Sequence, residues 1–163
     1  MIGSLNSMTF LKPFSIWKKP FAWLNRCQVA GIEAQYELYN VRAFDLHIYF
    51  VGEKERAIFK HGNVEYYTFS IFEILNYLDK KGDVYVRLVL EEDCDDKSQS
   101  IERRFKSYCK NVETIYKNTK FFGGYRECDS FVLYNFKEQR PEGLYFFRRV
   151  DKLKRKRVGE ANK

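Results

Sequence analysis

The chain has 163 residues, a length typical of one domain, and it carries a net charge of +7 at pH 7. Hydrophobic residues make up 45% and aromatic residues 18%, with only three prolines and nine glycines, which excludes a wholly disordered protein. No apolar run approaches the roughly 20 residues that span a bilayer, and the N-terminus lacks the apolar core of a signal peptide. We therefore expect a soluble, cytoplasmic protein.

The cysteines stand far apart in the chain. There are four of them: Cys27, Cys94, Cys109 and Cys128. They form no CxxC pair, and only two histidines are present, so the spacing of a zinc site is absent. We expect isolated thiols in a reducing compartment.

Strand-like and helix-like segments alternate along the chain. The clearest strand is Val41–Phe50 (VRAFDLHIYF), in which apolar side chains alternate with Asp45, His47 and Tyr49. A shorter strand, Arg56–His61, ends in a His-Gly pair. Each of these strands is predicted from the period-two alternation or from the β-branched and aromatic residues it contains.

A helix is predicted after the second strand, because Ser70 and Glu73 have the spacing of a capping box and Gly82 provides a stop. Val84–Glu91 (VYVRLVLE) is almost continuously apolar, as buried parallel strands are. A second helix is predicted over residues 100–118. Strand, helix, strand and helix in succession predict an α/β fold with βαβ units and a parallel sheet.

The C-terminus is strongly basic. We expect one domain over residues 1–150 and a flexible tail over 151–163, in which Lys152–Arg157 carries five positive charges. Such a run binds nucleic acid or an anionic membrane surface, or it is a solvated tail that aids solubility. The lack of interleaved aromatic residues favours the solvated tail.

Four short motifs follow one another in the first part of the chain. They are Leu5-Asn6-Ser7, Arg42-Ala43-Phe44-Asp45-Leu46-His47, His61-Gly62 and Leu88-Val89-Leu90-Glu91. In this order and spacing, residues 1–95 resemble the phosphatidylinositol-specific phospholipase C-like phosphodiesterases. The resemblance implies a TIM-type (β/α) barrel of parallel strands, shortened or incomplete here because a full barrel needs about 200 residues or more.

The resemblance also implies a chemistry. In that family two imidazoles act as general base and general acid on a phosphodiester, and a positive group balances the charge on the phosphate. It implies that His61 is the general acid and that Asp45 orients an imidazole. His47 is the candidate to replace the missing first imidazole as a proton carrier. If a calcium ion is bound, Glu91 and Asp45 would be its ligands; otherwise no cofactor is needed. The implied substrate-binding residues are Asn6, Arg42 and Arg87.

Two positions depart from the family pattern. Leu5 stands where the family has its first histidine, and His47 stands where it has an arginine or an acidic residue. The resemblance predicts that the chain cleaves phosphoinositides or glycerophosphodiesters. Leu5 favours the alternative, an inactive module of that fold that binds anionic phosphate ligands, lipid or a partner protein. A small basic nucleic-acid-binding protein is the third alternative. An open sheet edge would favour an oligomer.

These residues also have plain structural interpretations. His61 can be a polar residue at a strand end, Asp45 and His47 can form a structural hydrogen bond, and Glu91 can form an ion pair with Arg87. The acidic residues after Glu91 can be a solvated loop instead of a calcium site.

A cluster of aromatic and basic residues lies near the N-terminus. It contains Phe14, Trp17, Phe21 and Trp23 beside Lys12, Lys18 and Lys19. Such residues either make a peripheral contact with a membrane or pack within the fold.

Overall fold

The computed structural model of the chain describes residues 1–51, 56–66, 71–92 and 98–153. Four features of the sequence lie outside the described residues: Ser70 of the predicted capping box, the acidic residues Asp93, Asp95 and Asp96, the thiol of Cys94, and the basic residues from Lys154 onward. Within the described ranges, no helix is both long enough and apolar enough to cross a membrane.

The described chain begins with a strand and alternates between strands and helices. The strands are β1 (Ile2–Ser4), β2 (Ala43–Val51), β3 (Arg56–His61), β4 (Val64–Tyr66), β5 (Val84–Leu90), β6 (Thr119–Arg126) and β7 (Tyr145–Phe147). The α-helices are α1 (Lys19–Asn25), α2 (Ile32–Glu37), α3 (Ile71–Lys81) and α4 (Gln99–Ile115), and a short 3₁₀ helix, Ile16–Lys18, precedes α1.

The strands form one mixed sheet that curls into a half-barrel. Strand β2 is at its centre. On one side β5 pairs with it in parallel; on the other, β1 pairs in parallel with its first residues and β3 pairs antiparallel with its last. Strands β6 and β7 extend the sheet in parallel from β5 and β1, whereas β4 pairs antiparallel with β3.

The predicted TIM-type barrel of parallel strands is wrong, because the sheet is mixed and open. The connections around β3 are too short for parallel pairing. Residues 52–55 alone separate β2 from β3, and only Gly62 and Asn63 separate β3 from β4. A parallel crossover needs about a dozen residues or more, so these strands can form only hairpins. His61 therefore ends a hairpin strand and not a strand of a parallel barrel.

The predicted alternation of β2 is confirmed. Phe44, Leu46 and Ile48 are fully buried in the core that lies under α3 and α4. The helix predicted after the second strand is α3, and its Ile71, Leu75 and Leu78 are buried in the same core. The opposite face of β2 carries Asp45 and His47, and it is this inner face of the half-barrel that holds the candidate site.

The cysteines differ from the expectation. Cys27 and Cys109 are buried and form no disulfide within the described residues. Cys128 is disulfide-bonded, so the prediction of isolated thiols is wrong at that position. Disulfides are typical of oxidising compartments, so the cysteines do not support the predicted reducing one.

Candidate active site

The turn after β1 is fixed to β2. The Ser7 backbone N–H donates to the Asp45 carbonyl at 2.8 Å, and the Asp45 N–H donates to Ser7 Oγ at 2.8 Å. Asn6 has a φ of 45°, a left-handed conformation that asparagine adopts more readily than most residues. The Asn6 backbone N–H then donates to Asp45 Oδ2 at 2.9 Å. The turn therefore helps to fix the Asp45 carboxylate in place.

Asp45 is fully buried and its side chain is held from three directions. Besides Asn6, Arg87 Nε donates to Asp45 Oδ1 at 2.7 Å, and His47 Nε2 donates to Oδ2 at 3.1 Å. Arg87 can reach it because the two residues are register partners on β2 and β5. Burial alone would raise the pKa of Asp45, but His47 and Arg87 hold it well below the usual 3.8. Asp45 is therefore a carboxylate, and both of its oxygens are engaged.

His47 lies between two carboxylates. Its Nδ1 is 2.5 Å from Glu91 Oε2, and the other oxygen of Glu91 accepts the Gly62 backbone N–H at 2.6 Å. Burial alone would lower the pKa of His47, whose exposed fraction is 5%, but Asp45 and Glu91 raise it to about 10. The ring is therefore an imidazolium at neutral pH, and it donates one N–H to each carboxylate.

His61 is the second imidazole of the site. Its ring centroid is 5.9 Å from that of His47, and the two rings are nearly perpendicular. Its Nε2 lies 3.5 Å from Asn6 Nδ2, and its Nδ1 is buried without a hydrogen-bond partner in the part of the chain that is described. Burial lowers the pKa of His61 from the usual 6.5, and the neighbouring His47 cation acts in the same direction, although Glu91 opposes them. His61 is therefore neutral at pH 7.

A small cavity lies against both imidazoles. It offers about 10 Å³ for the centre of a water molecule, which is room for about one water. Among the described residues, three that line this cavity each carry a buried polar atom without a hydrogen-bond partner: Asn6 Oδ1, His61 Nδ1 and Tyr66 Oη. Buried polar groups are normally paired, so these atoms indicate a cavity that takes a polar guest.

A larger cavity of about 440 Å³ lies on the Arg87 side of the network. Arg87 and Arg140 both line it, together with the polar residues Tyr125, Asn135 and Gln139. Its volume falls in the range of about 300–1,000 Å³ that small-molecule pockets occupy. One carboxylate, Glu138, also lines it, and Arg87 is already paired with Asp45. Arg140 is therefore the group left to attract an anionic guest.

The structure brings most of the sequence-predicted residues together. Those that share hydrogen bonds or line the small cavity are Asn6, Asp45, His47, His61, Arg87 and Glu91. Arg42 lies apart from them: its Nε pairs with Asp83 Oδ2 at 3.2 Å, and its guanidinium stacks 4.0 Å above the ring of Tyr36. The interpretation of Glu91 as the ion-pair partner of Arg87 is wrong, because Glu91 pairs with His47.

Two residues at the site were missed by the sequence patterns. Arg148 follows β7 and lies close enough to His61 to lower the pKa of its imidazole. It stands beside Leu5, whose backbone N–H donates to the Phe147 carbonyl at 3.1 Å. The short aromatic run that ends in two arginines (YFFRR) is the signal that could have identified it. Tyr66 was also missed; burial raises its pKa to about 12.

A cation could be held where the two imidazoles meet Glu91. One nitrogen or oxygen of each of His47, His61 and Glu91 lies within 4.8 Å of the others. A cation could bind there only if His47 gave up a proton, because an imidazolium has no lone pair to donate. Calcium takes oxygen ligands, whereas two imidazole nitrogens and one carboxylate suit a transition metal. Asp45, the other expected calcium ligand, has both oxygens engaged. The residues present therefore fit the expected calcium ion poorly.

Comparison with known proteins adds nothing to the four motifs. The chain matches no protein-family model, no curated protein and no solved structure. Any function must therefore be argued from the site itself.

Proposed function

We propose that the protein cleaves phosphodiesters and that His61 is the general base. The observation that supports this is a pair of imidazoles, 5.9 Å apart, whose surroundings favour opposite protonation states. Enzymes that move protons near neutral pH use pairs of titratable groups whose environments separate their pKa values. Because His61 is neutral, the proposal gives it the role of base in place of the general-acid role that the family resemblance implies.

In the proposed step, neutral His61 accepts the proton of the attacking hydroxyl, which belongs to the substrate or to a water molecule. The oxygen of that hydroxyl bonds to phosphorus, and the bond from phosphorus to the leaving alcohol breaks. Tyr66 lines the cavity beside His61, and burial raises its pKa to about 12, above the already high value of a free phenol, so it is protonated at neutral pH. The proposal gives its O–H the role of protonating the leaving oxygen. The Tyr66 phenolate then recovers a proton from the His61 imidazolium, which restores both groups.

The other charged groups bind and position. His47 does not transfer a proton in this scheme, since both of its N–H groups donate to carboxylates. Its positive charge instead offsets Asp45 and Glu91, which would otherwise repel a phosphate. The nearby Arg148 supplies the positive charge that attracts and clamps the phosphodiester. Because the small cavity has room for about one water, the phosphate would bind at its mouth.

The experiment is a cleavage assay on soluble diesters. Bis(4-nitrophenyl) phosphate and glycerophosphoinositol are incubated with the purified chain, and the released alcohol is measured. His61→Ala is expected to lower kcat/KM by at least about 100-fold, the usual contribution of a general base. The control is Asn63→Ala, in the same hairpin turn, which is expected to keep the rate. Full activity in His61→Ala, or no turnover of any diester by the unaltered chain, would refute the proposal.

An inactive module that binds phosphorylated ligands is the second candidate. It is favoured by the larger cavity, which is lined by Arg87 and Arg140 and contains no imidazole. In that case inositol phosphate binds without turnover, and Arg140→Gln weakens binding while His61→Ala does not. Isothermal titration calorimetry of the two variants distinguishes this module from the enzyme.

A further inference from the structure

An apolar surface protrudes from the fold near the N-terminus. We call it the aromatic surface and define it by five side chains on the 3₁₀ helix and α1: Ile16, Trp17, Phe21, Trp23 and Leu24. Each of them is more than half exposed, and the exposed fractions of Trp17 and Trp23 reach 86% and 73%. Monomeric proteins rarely expose neighbouring large apolar side chains, so such a patch marks an interaction surface.

The stretch of chain that carries the aromatic surface is basic. Residues 1–32 contain no aspartate or glutamate, whereas Lys12, Lys18, Lys19 and Arg26 all lie within this stretch. Lys12 and Lys19 are exposed. Exposed tryptophans beside lysines are the combination that binds the interface of an anionic bilayer, where the rings enter the headgroup region and the ammonium groups meet acidic lipids.

The two helices that carry the aromatic surface are hydrogen-bonded to two segments near His61. Lys18 Nζ donates to the Asn63 carbonyl at 2.6 Å, in the turn that follows His61 and Gly62. At the other end, Arg148 Nη2 donates to the Leu24 carbonyl at 3.4 Å. Arg148 is the residue proposed above to clamp the phosphate. A flat partner bound to the aromatic surface therefore lies next to the mouth of the proposed site.

We infer that this surface docks the protein on a membrane that contains anionic lipid. Charge complementarity and the two interfacial tryptophans favour a bilayer over a second copy of this chain, whose matching surface would be equally basic. One consequence of docking rests on the proposed function. The phosphodiester that the protein cleaves is then the headgroup linkage of a membrane lipid, which the bilayer presents beside Arg148.

Docking can be measured separately from cleavage. His61→Ala protein is mixed with vesicles of equal parts phosphatidylcholine and phosphatidylserine, and the fraction that sediments with the vesicles is determined. The chain has only two tryptophans, and both lie on the aromatic surface, so a blue shift of tryptophan emission reports its burial directly. We expect co-sedimentation with a blue shift, and weaker binding at high salt.

The variants separate the aromatic and the basic contributions. Trp17→Ala/Trp23→Ala is expected to lower the partition coefficient at least about tenfold, the effect of losing buried apolar area. Lys12→Gln/Lys19→Gln is expected to weaken binding to the mixed vesicles and not to pure phosphatidylcholine. The control is Phe131→Ala/Tyr145→Ala, which removes two exposed aromatic rings outside the surface and is expected to bind as the parent does.

Three results would overturn the inference. They are absence of binding to the mixed vesicles, equal loss of binding in the control variant, and concentration-dependent dimerisation in light scattering that buries the tryptophans while vesicles have no effect. Cleavage of soluble diesters without vesicle binding refutes the docking and leaves the proposed function intact. Vesicle binding without cleavage of any diester supports the docking and refutes the proposed function.

Discussion

Replacing Asp45 with asparagine is expected to lower the free energy of unfolding by about 3–5 kcal/mol, the usual cost of removing one partner from a buried ion pair. Asp45 is fully buried, and its carboxylate accepts hydrogen bonds from Arg87, His47 and the Asn6 backbone. Without that charge, the buried Arg87 and the imidazolium of His47 lose their common counter-ion. Urea unfolding at pH 7, followed by circular dichroism, measures the change.

Asp83→Asn is the matched control for this substitution. Asp83 also pairs with an arginine, Arg42, but its side chain is 61% exposed. Exposed pairs contribute about 0–1 kcal/mol, so this variant is expected to unfold almost as the parent does. Equal effects of the two substitutions would show that Asp45 is not the buried anchor of the network.

Stability is expected to fall as the pH rises from 7 to 9, by about 1.4 kcal/mol per pH unit. The cause is His47, whose pKa is raised from 6.5 to about 10 by Asp45 and Glu91. Its stabilising contribution is complete below the unfolded pKa of 6.5. It declines as the pH rises toward the folded value, because only the folded state still holds the proton. On the acid side His61, with its lowered pKa, works in the opposite sense, because the unfolded state takes up its proton first as the pH falls below 6.5.

The test compares how steeply the free energy of unfolding changes with pH in two proteins, and not its absolute value. Urea unfolding at several pH values is repeated with His47→Gln, which lowers stability throughout but is expected to remove the slope between pH 7 and 8. Cys109, whose pKa burial also raises, adds a slope of the same sign as its unfolded thiol ionises toward pH 9, and that slope remains in both proteins. A parent protein whose stability is constant from pH 7 to 9 would contradict the assignment of His47 as a buried cation.

The local elements could be predicted from the sequence, but their assembly could not. Alternation along β2 identifies which side chains face the core, because each strand has only two faces. The pairing of β3 depends instead on how many residues connect it to β2. Strand–helix alternation contains no information on that length, so it predicts a parallel barrel where the four-residue connection before Arg56 allows only a hairpin.

The candidate site shows the same division. Asp45, His47, His61 and Glu91 were identified from short motifs because polar residues beside buried strands are few. Their partners depend on geometry that the motifs do not contain. Glu91 pairs across strands with His47 and not with Arg87, and Arg148 reaches the site from a three-residue strand more than 80 residues beyond His61 along the chain. The proton assignments follow from those contacts, so the sequence alone could not separate the base from the fixed cation.

The central claim is that a buried imidazolium lies beside a neutral imidazole. Two-dimensional ¹H–¹⁵N NMR of the two histidine side chains tests it most directly, with His61→Ala used to assign the signals. We predict that both nitrogens of His47 stay protonated to above pH 9, while His61 is neutral at pH 7 and takes up its proton only below pH 6.5. Two histidines that titrate together near pH 6.5 would contradict the account.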